Sequence, residues 1–304
     1  MGAAPRATIQ LCTYNRAHLL ERVLEGCFEQ TVPPNDYEVV LVNDGSRDRT
    51  PAVIAAMQSR ARCAFTVIGQ ANAGLARARN AGIARARGER IIFIDDDVLP
   101  TPAFVAEHLR SHDRNPAAIV RGAVINCASF DNLPPPIWSW RNYSANYFWT
   151  SNVSVPRAAL DRVGPFTESF QEYGWEDIEL GIRLRLGGVR AVFNRAAVAF
   201  HFKPGPRAGN VDGMIAQARA QARTARRLYE LQPHWRVVLA TGDHPLERTT
   251  HRVARALGLP NRYRAFVGET AGDRPLSTAQ VLAARALARE AYFEELERAR
   301  RAGR

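Results

Sequence analysis

The chain has 304 residues, a formal net charge of +11, and 41 arginines and lysines, of which Lys203 is the sole lysine. That length suits one catalytic-sized core with an appendage; no apolar run nears the roughly 20 residues of a membrane-spanning helix, and the N-terminus shows no secretory apolar stretch. Cys12, Cys27, Cys63 and Cys127 form no CxxC pair, which excludes a zinc ribbon or disulfide framework and points to buried, reduced thiols in a cytoplasmic protein.

Short β-rich runs alternate with helical stretches, the pattern of a parallel sheet with crossover helices and hence of an α/β fold. Ala7–Thr13 reads as a strand, Ala17–Gln30 as a helix and Tyr37–Asn43 as a second strand, after which Thr50-Pro51 opens a helix with proline at its first position. Ala64–Ile68 is a third strand, Gly74–Arg87 a helix closed by Gly88, and Arg90–Ile94 a fourth strand. Ligands of open α/β sheets gather at the carboxyl ends of the strands, which brings Thr13-Tyr14-Asn15, Asn43-Asp44-Gly45-Ser46 and Asp95-Asp96-Asp97 to one edge. Three adjacent carboxylates repel one another and resist desolvation. A hard divalent cation on a diphosphate would receive them; the competing reading is an acidic turn with Asp97 capping a helix near Pro100 and Pro102.

After Ile125 the composition shifts to Pro134-Pro135-Pro136 and the aromatic residues Trp138, Trp140, Tyr143, Tyr147, Phe148 and Trp149, whose rings either pack a second subdomain or stack on an acceptor. Gly174-Trp175-Glu176-Asp177 opens a helix that runs to Leu186 and stops at Gly187-Gly188. Two strand-like runs, Val189–Phe193 and Ala197–Phe202, bring His201 toward the same region. Beyond Pro204 the chain reads as helical over Val211–Leu231, Pro245–Leu257 and Thr278–Ala302, the last capped by Ser277. Residues 201–304 hold 19 basic and 10 acidic side chains, so the basicity belongs to this part. Such a part suits anionic lipid headgroups, an acidic glycan, nucleic acid or a partner protein, or it is a solvated arginine-rich helical face.

In order and spacing, several of these pieces resemble the inverting nucleotide-sugar glycosyltransferases of glycosyltransferase family two, with the GT-A fold. They are Thr13-Tyr14-Asn15-Arg16, Val42-Asn43-Asp44-Gly45-Ser46, the stretch Asn72 to Gly82 with Ala78-Arg79-Asn80, Phe93-Ile94-Asp95-Asp96-Asp97, Ser151-Asn152 and Trp175-Glu176-Asp177. The resemblance implies a GT-A core over residues 1–205, with a nucleotide-sugar half at about 1–125 and an acceptor half at about 126–205, followed by a basic helical extension over 206–304. It gives Thr13, Tyr14, Asp44, Arg79, Asp95 and Asp96 to the nucleotide, Asp97 and His201 to a Mn²⁺ or Mg²⁺ ion, and Trp175 and Asn152 to the acceptor. Asp177 becomes the base that deprotonates the acceptor hydroxyl, with Glu176 orienting the acceptor or substituting for it.

The residues also admit plainer readings: Asp44 as a turn residue before Gly45, Arg79 as an exposed helical arginine, His201 as a satisfied core or surface histidine, and Glu176 and Asp177 as ordinary first-turn acids. The implied partners are a nucleotide-sugar donor, with UDP as the carrier that suits Asp44, and a glycan, lipid-linked or small-molecule acceptor. No nucleic acid is expected, and the basic extension leaves peripheral contact with the inner face of a membrane open. A phosphotransferase built on Asp95 and Asp97 lacks its lysine, since Lys203 has no matching surroundings. A non-catalytic module that binds sugar nucleotides or polyanions is the alternative function.

Overall fold

The computed structural model describes residues 4–142, 144, 146–170, 172–268 and 274–302; Tyr143 of the aromatic cluster lies outside them. By its internal contacts the chain forms two compact units, residues 1–168 with 176–204, and residues 169–175 with 205–304.

The first unit begins with four parallel strands, β1 (Ala7–Thr13), β2 (Tyr37–Asn43), β3 (Ala64–Gly69) and β4 (Arg90–Phe93), in the order β3-β2-β1-β4. The crossover helices are α1 (Ala17–Phe28), α2 (Thr50–Gln58) and α3 (Leu75–Arg85). Alternation along a strand sends neighbouring side chains to opposite faces. Ile92 and Ile94 join one core layer with α1 and α2, while Ile91 and Phe93 join the other with α3. The sheet continues through β5 (Val98–Pro100), α4 (Phe104–Arg114), β6 (Ile119–Cys127), β7 (Val153–Pro156), α5 (Arg157–Val163), α6 (Glu176–Leu186) and β8 (Ala191–Phe202). Among the described residues it has eight strands in the order β3-β2-β1-β4-β7-β6-β8-β5. β7 runs antiparallel to β4 and β6, and β5 antiparallel to β8.

The last two expected strand runs are one strand, β8, whose pairing with β6 shifts register between Gly122 and Ala123. A bulge of this kind interrupts the alternation that marks a strand in sequence. Phe148 does pack a core, edge-on to Phe93 at 5.7 Å between ring centroids, and Trp138 meets Phe193 at 5.5 Å; Trp140 is exposed.

The second unit contains α7 (Val211–Leu231), α8 (Trp235–Thr241), α9 (Pro245–Ala256), α10 (Leu259–Val267) and α11 (Thr278–Ala302). Val211 and Ile215 of α7, Val267 of α10 and Ala284, Leu287 and Ala291 of α11 form its core. Ser277 does cap α11: its Oγ accepts from Gln280 N at 3.3 Å while Gln280 Oε1 accepts from Ser277 N at 3.2 Å, a reciprocal capping box. Among the described residues no helix is long and apolar enough to cross a membrane. The four cysteines are free thiols.

Candidate active site

The carboxyl ends of β1 and β2 are stitched together by polar bonds. Ser46 Oγ accepts from Asn15 N at 2.9 Å, Asn15 Oδ1 accepts from Arg47 N at 2.8 Å, and Thr50 Oγ1 accepts from Arg16 N at 3.1 Å. Asp44, at the end of β2, is buried; its Oδ1 accepts from Gln70 Nε2 at 2.7 Å and Ala73 N at 2.9 Å, and its Oδ2 from Gly74 N at 3.0 Å. It is thus more than a turn residue, because it anchors the loop that leads into α3. Gly45 makes that approach possible: its φ is +79°, and an added Cβ would stand 2.6 Å from Asn72 N. Thr13 is buried and Tyr14 exposed on the same rim.

The aspartate triplet leaves β4 beside these loops. No helix starts at Asp97: β5 follows at Val98, and α4 begins at Phe104 after Ala103, without a side-chain cap. Asp95 Oδ1 accepts from Arg79 at 3.1 Å and Oδ2 from Ser151 Oγ at 2.5 Å. Burial pushes the Asp96 carboxyl up to about 6, against the pull of Arg16, whose Nε lies 3.4 Å away. Asp97 is raised as well, by burial and then by Asp95, with His201 and Arg16 opposing.

Arg79 differs most from the exposed-helix reading, being only 4% exposed. It donates to Glu176 Oε1 at 2.6 Å, to Thr150 Oγ1 at 2.7 Å and to Asp95, and its guanidinium lies 5.2 Å from the Phe166 ring centre. Burial opposes its charge, but Glu176 and then Asp95 outweigh that and hold its pKa above the usual arginine value. One cation therefore ties the triplet to the Glu-Asp pair.

Among the described residues no three His, Cys, Asp or Glu side chains gather as a complete metal cage. Asp97 Oδ1 and His201 Nε2 nevertheless face each other at 3.7 Å, too far for a hydrogen bond, and His201 Nδ1 is buried with no hydrogen-bond partner. Pairing of Val98 with His201 between β5 and β8 holds the two together. Two protein ligands fit a hard cation that completes its shell with water and substrate phosphates.

Glu176 and Asp177 occupy the first turn of α6, preceded by two left-handed residues, Gly174 at φ +105° and Trp175 at φ +74°. A tryptophan in that region is strained and needs anchoring. Within the second unit, its indole Nε1 donates to the Gln221 carbonyl at 2.7 Å and its ring is buried. Burial, then the neighbouring Glu176 charge, pushes the Asp177 carboxyl up to about 7, with Arg79 opposing. Its Oδ1 accepts from Ile178 N at 2.7 Å.

Asn152 is placed differently from the acceptor role that the resemblance implies. It is buried, its Nδ2 donates to the Ala123 and Ala197 carbonyls, both at 2.9 Å, and its Oδ1 meets His108 Nε2 at 2.9 Å. Its amide is spent inside the protein, so it staples β6, β7 and β8. Residues missed from sequence are Arg16, Gln70, Thr150 and Ser151, each bonded or ion-paired to a site residue. Arg16 and Ser151 did lie within the motifs, which was the available signal.

The curled, mostly parallel sheet with helices on both faces and an acidic strand end defines a GT-A glycosyltransferase fold. A mannosyltransferase from Pyrobaculum calidifontis, solved in complex with GDP-Man and Mn²⁺, superposes with a TM-score of 0.63 over 97% of this chain and 86% of that one at 19% identity. TarS from S. aureus, in complex with UDP-GlcNAc, gives 0.55 over 98% and 92% at 17% identity. Among curated proteins, validoxylamine A glucosyltransferase of Streptomyces hygroscopicus subsp. limoneus is 31% identical over 230 residues, 63% of this chain and 50% of that protein. The chain spans about half the length of such curated relatives. Glycosyl transferase family 2 matches residues 8–164, and the chain belongs to that family.

Proposed function

We propose that the chain is a metal-dependent, inverting glycosyltransferase that moves a sugar from a UDP-sugar to a hydroxyl of a glycan, lipid-linked or small-molecule acceptor. The carrying observation is the Arg79 bridge, which sets the donor-side Asp95 and the acceptor-side Glu176 at fixed distance around one buried cation. Residues 1–205 carry the reaction, with the donor half at about 1–125, the acceptor half at about 126–205, and 206–304 as an extension.

Exposed Tyr14 packs on the base. Of the roughly four acceptor positions of the Asp44 carboxylate, three are filled by the loop between β3 and α3, which leaves one on Oδ2 for a single uracil N–H or ribose hydroxyl. Thr13 closes the rim, and Asp95 and Asp96 face the ribose and diphosphate. Asp97 and His201 Nε2 would hold a Mn²⁺ or Mg²⁺ ion, which when bound supplies charge neutralisation to the departing diphosphate. Arg79 supports the donor side by fixing Asp95.

With Glu176 engaged by Arg79, Asp177 is the carboxylate left to act as base, and a pKa of about 7 suits a proton acceptor near neutral pH. The acceptor hydroxyl gives its proton to Asp177 while its oxygen bonds the anomeric carbon from the face opposite the leaving group. The bond from that carbon to the phosphate oxygen breaks, and its electron pair leaves with the nucleoside diphosphate. The names of the relatives, which include glucosyl transfer to validoxylamine A, support a hydroxylated acceptor of this kind.

The test is a nucleotide-sugar panel with and without Mn²⁺, read by donor hydrolysis, thermal shift and the anomeric proton signal of the product. A shift with one UDP-sugar that requires the metal, and an inverted anomeric centre, are expected. Full activity of Asp97→Ala or Asp177→Ala would overturn the assignment.

A further inference from the structure

Helix α9 of the second unit is built inside out. An amphipathic helix of a soluble protein turns its apolar stripe to the core and its charges to water. Here none of the twelve residues of α9 is buried, and Leu246, Val253 and the cap residue Leu257 are 71%, 52% and 62% exposed. At 100° per residue these three fall within about 40° of one another, a single stripe.

The opposite face is held inward by charge. His251 bonds Glu290 at 2.7 Å and stacks on Phe293 at 4.1 Å; Arg255 donates to Glu290 at 2.7 Å, and Arg252 to Glu297 at 3.1 Å. All of these partners lie on α11. The threonines beside the stripe turn their hydroxyls back on the helix, Thr249 to the Pro245 carbonyl at 2.9 Å and Thr250 to the Leu246 carbonyl at 3.0 Å. On the preceding helix, α8, Trp235 and Leu239 are also exposed at i and i+4, with the Arg236 guanidinium 4.4 Å from the Trp235 ring centre.

We propose that α8 and α9 form a docking surface for an anionic lipid bilayer, lying in the headgroup region with Leu246, Val253, Leu257, Trp235 and Leu239 inserted. Charge selects this occupant. Residues 201–304 hold 19 basic side chains against 10 acidic ones, which disfavours facing a second copy of the same surface and favours an anionic membrane. An exposed leucine and valine stripe on α9, and on α8 an exposed tryptophan and leucine with Arg236 beside the ring, have the composition of interfacial helices.

The 304-residue protein is tested by flotation with phosphatidylcholine vesicles with and without about 30% phosphatidylglycerol, at low and high salt. Binding to the anionic vesicles, weakened but retained at high salt, is expected, and the triple variant Leu246→Ser, Val253→Ser, Leu257→Ser should bind at least about tenfold more weakly. Because all three side chains are exposed, circular dichroism and melting of the variant should match the parent. No vesicle binding, undiminished binding of the triple variant, or binding abolished by salt alone overturns the proposal. So does a concentration-dependent dimer in sedimentation that the triple variant dissolves, which would assign the stripe to a second copy.

Discussion

Arg79 makes hydrogen bonds to Glu176, Thr150 and Asp95 from one nearly buried guanidinium, so its replacement exposes how far the site depends on that fork. Arg79→Met leaves two carboxylates facing an apolar side chain, and breaking a buried pair in this way costs about 3–5 kcal/mol. Arg79→Lys keeps a charge but cannot reach two partners in the same geometry, so the protein should stay folded while kcat falls about 10–100-fold. Since Arg79 lowers the Asp177 pKa, weakening it should also move the acid limb of the rate profile to higher pH, which a kcat/KM profile reads directly. Asp177 makes a second residue-scale prediction. Burial and Glu176 raise its pKa to about 7 from an unfolded value near 4, so the folded chain keeps a proton that the unfolded chain has released across that window. The associated stability is present below the lower value and lost as pH rises through about 7. Asp177→Asn avoids this loss. It should melt higher than the parent at pH 8, by about 2–4 °C per kcal/mol recovered, while transfer falls at least about 10²-fold.

At the scale of elements, α4, β6, β7 and β8 are joined by a chain of buried polar groups. His112 Nε2 meets Ser154 Oγ at 2.8 Å, Ser154 Oγ meets His108 Nδ1 at 2.8 Å, and His108 Nε2 meets Asn152 Oδ1 at 2.9 Å. One assignment satisfies every link: His112 donates to Ser154, Ser154 to His108, His108 to Asn152, and Asn152 to two backbone carbonyls. Burial lowers His108 to about 4 and His112 to about 3, so both stay neutral in the fold at pH values where the unfolded chain binds protons. Stability should therefore fall as pH drops from about 6.5, by about 1.4 kcal/mol per pH unit for each such histidine. Urea melts of His112→Gln across pH 4–6 should show a shallower slope than the parent; an unchanged slope would remove His112 from the chain. The legibility of these elements in sequence followed from burial on both faces. β2 and β4 hold the apolar runs Val39–Val42 and Ile91–Phe93, and β1 is β-rich around buried Thr8 and Gln10, so these stood out, whereas β7, only four residues long, carries Ser154 at its centre and reads as nothing in particular. Asn152 was misplaced for a related reason: the motif marks its position, but only three-dimensional pairing shows that its amide is consumed by Ala123, Ala197 and His108. Asp97 and His201 were singled out through the family resemblance and not by alternation, and only the pairing of β5 with β8 shows that they lie 3.7 Å apart.

At the scale of the whole molecule, the chain crosses from one compact unit to the other between Trp175 and Glu176, immediately before the proposed base. The segment 169–175 belongs with the C-terminal helices through α7. Arg223 donates to Glu172 at 3.1 Å, Thr224 Oγ1 to the Tyr173 carbonyl at 3.1 Å, Arg227 to Ser169 Oγ at 2.9 Å, and Trp175 to the Gln221 carbonyl. These bonds give residues 206–304 a part that no motif indicated, which is to hold the left-handed Gly174-Trp175 turn within the second unit. A strained backbone persists only where its surroundings over-determine it. Trp175→Phe keeps most of the buried ring but removes the indole N–H, costing about 1 kcal/mol of stability and freeing the turn to relax. The expected outcome is a melting temperature about 2–4 °C below the parent's, read by circular dichroism. Trp175→Gly separates the two contributions: it relieves the backbone strain but removes both ring and hydrogen bond. If the indole anchors the turn on α7, the glycine variant should melt at least as low as the phenylalanine variant; a parental melting temperature in the glycine variant would show that the turn needs only a permissive backbone.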